Sequence, residues 1–278
     1  MPDESPLERL DRLAATAQVR WTTTEGAHRM VWRSWGRGPD VLLLHGGAGS
    51  WMHWVRNIDA LAADHTVWVP DMPGFGDSDL PREAFDADAA APVVLAGARQ
   101  VMEGRPFDLV GFSFGSLVGA CLAALPAPEV RRFITVGLAG LGMSGPVPEF
   151  RSLRKLTDPA EREAALRFNL LALMLSDAAS IEADALRSQD NGSIKERSKG
   201  RQLARTNIVL RLAPSWQCPA FAIWGSEDKI YRGRFDELRR VAAQLHLRRL
   251  EVIEGAGHWV QYEAAARFNA LLRELLAQ

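Results

Sequence analysis

Four short stretches of the sequence carry residue types that could together cleave a carbonyl compound. The first reads GFSFG at 111–115 and matches the pattern G-x-S-x-G, directly after an apolar run and before a run typical of a helix. In such a strand-turn-helix the serine sits on a strained turn, and the flanking glycines let the backbones approach closely. Ser113 is therefore the candidate nucleophile, and the alternative is a hydroxyl in an ordinary tight turn.

The second stretch, HGGAG at 45–49, offers backbone N–H groups. A serine hydrolase needs two such donors aimed at the oxyanion, and the residue after the nucleophile, here Phe114, supplies one of them. Gly47 is the candidate for the second donor, with Ala48 as the alternate. A glycine-rich loop could also cradle phosphate, but neither G-x-x-x-x-G-K-[ST] nor G-x-G-x-x-G occurs here. His45 is interpreted as pinning the loop by hydrogen bonds.

An acid and a base lie in the remaining two stretches. Glu227 and Asp228 end WGSED at 224–228, and a carboxylate there can accept the Nδ1–H of a histidine. Asp228 is favoured over Glu227 because its position relative to Gly225 matches the family that the motifs resemble, as described below. His258 lies in GAGHW at 255–259 and can take the serine proton and return it to the leaving group. Because a single histidine or acidic residue is more often structural, the agreement of all four stretches carries the prediction of a Ser113-His258-Asp228 triad.

Short apolar runs typical of buried strands precede all four stretches. Such runs occur at 41–44, 66–69, 107–111, 133–136, 220–224 and 250–253, with segments of helical length between most of them. This alternation predicts an α/β fold with a mostly parallel sheet that helices cover on both faces. Ligands bind at the carboxyl ends of such strands, so we expect the four stretches to meet there. Two further β-rich runs, at 19–23 and 30–35, predict a hairpin at the sheet edge.

The alternation of strands and helices stops between residues 141 and 213, where the pattern is helical. Glycine and proline cluster at the start of this region, at 140–148, and a polar run at 189–202 interrupts it near the middle. We therefore predict a core formed by 1–140 and 214–278 and a helical cap at 141–213, entered through a hinge-like loop.

The composition is that of a globular protein whose ligand is small. The 278 residues are 47% hydrophobic, which is ample for a sizeable core. The formal net charge of −1 gives no electrostatic reason to expect nucleic acid or a membrane as partner. Cys121 and Cys218 lie outside any CxxC or histidine cluster, so we expect no metal site or disulfide framework.

The first residues have neither a basic nor an apolar segment of the kind found in secretory signals, and no apolar run is long enough to span a bilayer. We therefore expect a cytoplasmic protein with a small-molecule substrate and no cofactor. The oligomeric state is left open, a homodimer being one option.

These motifs resemble the α/β-hydrolase superfamily over essentially the whole chain. The order Ser113, Asp228, His258 along the chain is the order in that superfamily, and PDMPGFGDSD at 70–79 is similar to its D-x-P-G-x-G-x-S loop. Among the serine-nucleophile members, the HGGAG loop and GHWVQYE at 257–263 resemble the meta-cleavage-product hydrolases and related esterases. The former split a carbon–carbon bond in vinylogous 1,5-diketones.

Two features differ from the meta-cleavage-product hydrolases. Phe112 precedes the nucleophile, where those enzymes usually have asparagine, and no motif identifies the cap arginine that binds the acidic end of their substrates. Arg167, Arg187 and Arg205 are the candidates for that arginine. Apolar or aromatic side chains near the loops are candidates for the substrate pocket, although plain core packing explains them equally well. These pocket candidates are Trp51, His53, Phe112, Phe168, Met174 and Trp259.

The resemblance implies a serine hydrolase that cleaves a small, mostly apolar carbonyl substrate, through an acyl-enzyme or a gem-diol intermediate. The substrate is a carboxylic ester, a lactone or a meta-cleavage-type diketone. Two alternatives stay open: a non-hydrolytic triad enzyme of the haloperoxidase or hydroxynitrile lyase type, and a ligand receptor that retains the fold.

Overall fold

An eight-stranded sheet forms the centre of the protein in a computed structural model that describes residues 4–23, 27–81, 86–143, 148–198 and 200–278. The strands are β1 (Gln18–Thr23), β2 (Arg29–Trp35), β3 (Asp40–Leu44), β4 (Thr66–Pro70), β5 (Phe107–Phe112), β6 (Val130–Val136), β7 (Ala220–Gly225) and β8 (Arg249–Ile253). Their order in the sheet is β1-β2-β4-β3-β5-β6-β7-β8. The pairs β1–β2 and β2–β4 are antiparallel, and all other neighbours are parallel. The predicted mostly parallel sheet and the hairpin at its edge are confirmed.

Helices cover both faces of the sheet. They are α1 (Pro6–Thr16), α2 (Ile58–Ala62), α3 (Ala87–Val101), α4 (Phe114–Ala123), α5 (Pro159–Asn169), α6 (Ala183–Lys195), α7 (Ile208–Leu212), α8 (Phe235–Ala242), α9 (Val260–Glu263) and α10 (Ala265–Leu276). Strand β3 is apolar at successive positions because both of its faces are buried. Val41 and Leu43 pack into one buried cluster, and Leu42 and Leu44 pack into the cluster on the opposite face.

The chain between β6 and β7, residues 137–219, is named the inserted segment here. It contains α5, which continues into a π-helical turn at Leu170–Met174, followed by α6 and α7. The expected interruption at 189–202 is wrong in its first half, because α6 continues to Lys195. Part of the predicted hinge, at 144–147, lies outside the described residues, so the hinge stays a prediction.

Within the described part of the chain, no helix has both the length and the apolar character that crossing a membrane requires.

Candidate active site

Ser113 lies on the tight turn that joins β5 to α4. Its φ of 51° and ψ of −113° fall outside the regions that non-glycine residues favour. The neighbouring glycines give the turn the room that it needs. A Cβ on Gly111 would lie 2.4 Å from the carbonyl oxygen of Gly115, and a Cβ on Gly115 would lie 2.4 Å from that of Leu44. The half-buried serine is thereby fixed at the carboxyl end of the sheet.

A continuous hydrogen-bond chain joins Ser113 to a histidine and a carboxylate. His258 Nε2 lies 2.8 Å from Ser113 Oγ, and His258 Nδ1 lies 2.7 Å from Asp228 Oδ2. His258 and Asp228 are buried. The second carboxylate oxygen, Oδ1, accepts the backbone N–H of Ile230 at 3.0 Å. With Nδ1–H donated to Asp228, the Nε2 lone pair of His258 can take the serine proton. The structure therefore brings the three predicted residues together in a geometry suited to nucleophilic attack.

Two backbone N–H groups beside Ser113 have no acceptor among the residues that the structure describes. A Cβ on Gly46 would lie 3.3 Å from Ser113 Cβ, so the 45–49 loop is packed against the nucleophile. The Gly46 N–H donates to His53 Nδ1 at 3.1 Å. Among the described residues, the Gly47 N–H has no such partner. Phe114 is the first residue of α4, and the first N–H of a helix has no acceptor within it. The role of Gly47 and Phe114 as oxyanion donors stays a prediction, and these two N–H groups have the position that it requires.

Helix α6 of the inserted segment packs directly onto the 45–49 loop. A Cβ on Gly192 would lie 1.8 Å from the carbonyl oxygen of Ala48, so no side chain fits at this position. Glycine inside a helix is less favourable than alanine by about 1 kcal/mol, and the close approach explains why it is present here. Ala48, the alternate oxyanion donor, has a φ of 49° and turns its carbonyl toward this helix.

The loop that carries His258 is held by Glu263, which the sequence analysis did not single out. Glu263 Oε2 accepts the Gly257 N–H at 2.6 Å. Glu263 Oε1 accepts the N–H of Ser176 at 2.9 Å and that of Asp177 at 3.0 Å, and it also lies 2.8 Å from Ser176 Oγ. Hydrogen bonds to an ionised carboxylate are about twice as strong as neutral ones. Glu263 therefore fastens the inserted segment to the histidine loop.

An arginine that the sequence analysis missed, Arg201, covers the oxyanion loop. A Cβ on Gly47 would lie 2.6 Å from the Arg201 Cζ, and this atom lies 6.0 Å from the centre of the Phe114 ring. Glu196 is its ion-pair partner, while the buried Arg201 Nε has no hydrogen-bond partner among the described residues. Burial lowers the pKa of Arg201. A guanidinium thus lies beside both predicted oxyanion donors, in the polar run where spacing alone does not distinguish one arginine from another.

The three arginines that the sequence suggested lie elsewhere. Arg167 pairs with Glu163 at the exposed surface of α5. Arg187 pairs with Asp11 at 2.6 Å, and both of these side chains are exposed. Arg205 is also exposed. Arg167 and Arg187 reach the surface because α5 and α6 bury the opposite sides of these helices.

Four of the six candidate pocket residues form a connected group that begins at His258. The ring of Phe112 lies 5.2 Å from that of His258 and 5.5 Å from that of His53. Trp259 Nε1 donates to the backbone oxygen of His53 at 2.9 Å, and the Trp259 N–H donates to that of Met174 at 2.7 Å. All four side chains are buried, so they form a packed layer beneath the triad.

The other two pocket candidates have different surroundings. The ring of Trp51 packs 5.6 Å from that of Trp35 on β2. The half-buried ring of Phe168 lies under the guanidinium of Arg151, whose Cζ is 4.2 Å from the ring centre. Nothing in these contacts joins Trp51 or Phe168 to the triad.

Acidic and hydroxyl groups in the 70–79 loop hold the backbone in place. Asp71 Oδ1 accepts the Trp51 N–H at 3.0 Å, and Asp71 Oδ2 accepts the Asp77 N–H at 3.1 Å. Ser78 Oγ donates to the Asp71 backbone oxygen at 2.6 Å. These bonds fit a loop that shapes the site. In the part of the chain that the structure describes, no group of three or more His, Cys, Asp or Glu is arranged to hold a metal ion.

Most of the sequence matches a known family. The model of the alpha/beta hydrolase family matches residues 41–271. The chain belongs to the alpha/beta hydrolase family. Like the curated members that it resembles, this alpha/beta hydrolase is an enzyme that catalyses hydrolysis.

Two relatives of this alpha/beta hydrolase match over most of their length. One is 2-hydroxymuconate semialdehyde hydrolase of Pseudomonas sp. (strain CF600), with 30% identity over 267 residues, covering 87% of this chain and 88% of the relative. Another is 2-hydroxy-6-oxo-6-phenylhexa-2,4-dienoate hydrolase of Burkholderia cepacia, with 31% identity over 263 residues, covering 87% and 89%. Among solved structures, an epoxide hydrolase of Vigna radiata superposes with a TM-score of 0.73 at 19% identity, covering 95% of this chain and 98% of the other. That likeness shows the shared fold.

Proposed function

We propose that this alpha/beta hydrolase uses Ser113 as a nucleophile to cleave the carbon–carbon bond beside a carbonyl in an acidic, vinylogous diketone. The hydrogen-bond chain from Ser113 Oγ through His258 to Asp228, with lengths of 2.8 and 2.7 Å, is the observation that carries the role of Ser113 as nucleophile. Two relatives are named as hydrolases of 2-hydroxymuconate semialdehyde and of 2-hydroxy-6-oxo-6-phenylhexa-2,4-dienoate, and both of these compounds carry a carboxylate.

In the proposed reaction the substrate dienol first becomes a ketone; His258 Nε2 then takes the Ser113 proton and Oγ attacks the carbonyl carbon. The N–H groups of Gly47 and Phe114 stabilise the oxyanion that forms. When this oxyanion collapses, the bond between the carbonyl carbon and its carbon neighbour breaks, and the ketone made earlier stabilises the fragment that leaves as a carbanion. The His258 cation, held by Asp228, protonates that fragment. Water then releases the acid product from Ser113. A gem-diol route, in which water adds directly, would use the same donors.

The charge beside the oxyanion loop supports an anionic substrate. Among the described residues, Arg201 Nε is buried without a hydrogen-bond partner, and the ion-pair partner of the Arg201 side chain is Glu196. A substrate carboxylate that displaced Glu196 would receive two parallel N–H bonds from the guanidinium, which is the geometry that arginine favours. The ring of Phe112 offers no polar group, so Arg201 would supply the contact to the acidic end.

Phe112 favours a second candidate, hydrolysis of a carboxylic ester or lactone. Its ring is fully buried between His258 and His53, so the residue before the nucleophile provides packing in place of a polar contact. The same serine, base and oxyanion donors would cleave an ester, and the leaving group would then be an alcohol that needs no ketonisation.

A substrate panel tests the proposal. We would measure kcat/KM for 2-hydroxymuconate semialdehyde and for p-nitrophenyl esters of increasing acyl length. We expect the dienoate to be the better substrate and Ser113→Ala to reduce its turnover by at least about 10³-fold. Loss of one charge-assisted contact is worth about 2–3 kcal/mol, so Arg201→Gln should lower kcat/KM for the dienoate by about 30–150-fold. The same change should leave kcat/KM for neutral esters within about threefold of the wild-type value, because these substrates have no carboxylate for Arg201 to bind.

The exposed Arg205→Gln variant is the matched control and should leave both substrate classes unchanged. Preference for the esters would move the assignment to the second candidate. If the wild type turns over no substrate of the panel but a small molecule still raises its melting temperature, a ligand receptor becomes the better description. A full rate in Ser113→Ala would show that the nucleophile is assigned wrongly.

A further inference from the structure

Two buried histidines outside the triad hold opposite sides of one glycine in the oxyanion loop. His45 Nε2 accepts the Met72 N–H at 2.9 Å, so in the neutral ring the proton lies on Nδ1, which donates to the Gly46 oxygen at 2.7 Å. His53 Nδ1 accepts the Gly46 N–H at 3.1 Å, so its proton lies on Nε2. The two rings are therefore held as opposite tautomers, and both polar groups of Gly46 are satisfied.

These contacts determine where the neighbouring N–H points. The Gly46 carbonyl and the Gly47 N–H belong to one planar trans peptide, in which the oxygen and the hydrogen point in opposite directions. When His45 holds the oxygen, the direction of the Gly47 N–H is determined. When His53 holds the Gly46 N–H, the preceding peptide cannot rotate either.

The ring of His53 lies at the meeting point of three parts of the site. A Cβ on Gly49 would lie 2.1 Å from this ring, so the loop wraps closely around it. The Trp259 ring lies 4.9 Å away and the Phe112 ring 5.5 Å away. His53 thus contacts the oxyanion loop, the residue before the nucleophile and the residue after the base. Burial lowers the pKa of His53 well below its usual value, and the nearby His45 and His258 act in the same direction.

We propose that His53 is a positioning residue of the oxyanion hole, because its Nδ1 lone pair holds the Gly46 N–H and so keeps the Gly47 N–H aimed at the oxyanion. His45 completes the hold from the other side of Gly46. This inference rests on the proposed function, since it assumes that a carbonyl oxygen becomes an oxyanion beside Ser113. The positioning role requires the Nδ1 acceptor of His53; a side chain of the same size without this acceptor would not hold the Gly46 N–H.

Two substitutions separate the acceptor from the volume of the ring. In His53→Asn, the side-chain oxygen can occupy the position of Nδ1 and accept from Gly46. In His53→Gln, the side chain is closer to histidine in volume, but its oxygen lies one bond farther out. Losing one oxyanion donor lowers kcat by about 10²–10³-fold, so we expect His53→Gln to lose about 10²-fold in kcat with KM within about threefold. We expect His53→Asn to keep kcat within about fivefold, because the acceptor is retained.

The kinetics are measured on the best substrate of the panel, and the melting temperature of each variant is recorded alongside. A His53→Gln variant that is as active as His53→Asn, or more active, would overturn the inference, and so would a loss that falls on KM. A second measurement needs no variant: nitrogen-15 NMR of the wild type at pH 7 should show His53 as the neutral Nε2–H tautomer and His45 as the neutral Nδ1–H tautomer. A cationic His53, or its Nδ1–H tautomer, contradicts the proposal.

The results that would reject the proposed function differ from those that would reject the role of His53. If wild type and Ser113→Ala turn over every substrate at the same rate, the nucleophile is wrong and the oxyanion argument loses its basis. If Ser113→Ala is inactive while His53→Gln keeps the wild-type kcat, the proposed function stands and only the role of His53 is rejected.

Discussion

Replacing Gly192 by alanine should slow turnover, although glycine has no side chain that could react. The new Cβ would lie 1.8 Å from the Ala48 carbonyl oxygen and 2.7 Å from the carbonyl carbon. Close contacts between carbon and oxygen in proteins are about 3.3 Å, so helix α6 or the 45–49 loop must move by about 1.5 Å. The loop carries the Gly47 N–H, which is proposed to stabilise the oxyanion, so its position relative to Ser113 should affect the rate.

The magnitude follows from two opposing effects. Alanine is the better helix former by about 1 kcal/mol, and overpacking typically destabilises a protein by about 1–3 kcal/mol. The free energy of unfolding should therefore fall by about 0–2 kcal/mol. A displacement of about 1 Å at a reacting site lowers the rate by about 10²-fold, and we expect a loss in kcat of that order.

The assay combines steady-state kinetics with thermal unfolding. Ser193→Ala is the matched control, because it lies in the same helix, adds no atom and removes only the hydroxyl that donates to the Gln189 backbone oxygen. This control should keep kcat within about twofold. The reasoning is refuted if Gly192→Ala retains the wild-type kcat and is more stable by about 1 kcal/mol, which is the result expected when helix propensity acts alone.

Three further predictions follow from the structure, two from contacts of the site and one from the burial of the cysteines. Glu263→Gln should lower the free energy of unfolding by about 2 kcal/mol and also lower kcat, because the new amide N–H₂ group would face the Gly257 N–H. An unchanged free energy of unfolding in denaturant would contradict this prediction. Asp228→Asn should lower kcat by about 10⁴-fold by favouring the wrong histidine tautomer, and kinetics within tenfold of wild type would speak against that role. Burial raises the pKa of Cys121 to about 12 and that of Cys218 to about 11, so both thiols stay protonated at pH 8. Mass spectrometry should find iodoacetamide adducts on both cysteines only after unfolding, and rapid alkylation of the native protein would argue against this burial.

Much of the fold and of the triad could be predicted from local sequence patterns. A strand buried on both faces must be apolar at successive positions, as 41–44 is, and this pattern is visible without a structure. The carboxyl ends of parallel strands share one edge of the sheet, so residues that follow separate strands are brought together there. Ser113, Asp228 and His258 could be placed for that reason, although the last two lie more than a hundred residues from the first.

Only the tertiary structure decided which parts of the inserted segment reach the site. The spacing of the arginines in the sequence does not distinguish Arg201 from Arg205, because the loops between short helices determine which way each side chain points. From the sequence, Gly192 is only a residue of low helix propensity; the structure shows the Ala48 carbonyl where its side chain would lie. From the sequence, His53 is one aromatic residue among several; the structure shows that its Nδ1 accepts the Gly46 N–H. Local patterns encode the period of a strand or a helix. Contacts between segments far apart in the chain depend on how whole elements pack, and those contacts hold the oxyanion loop in place.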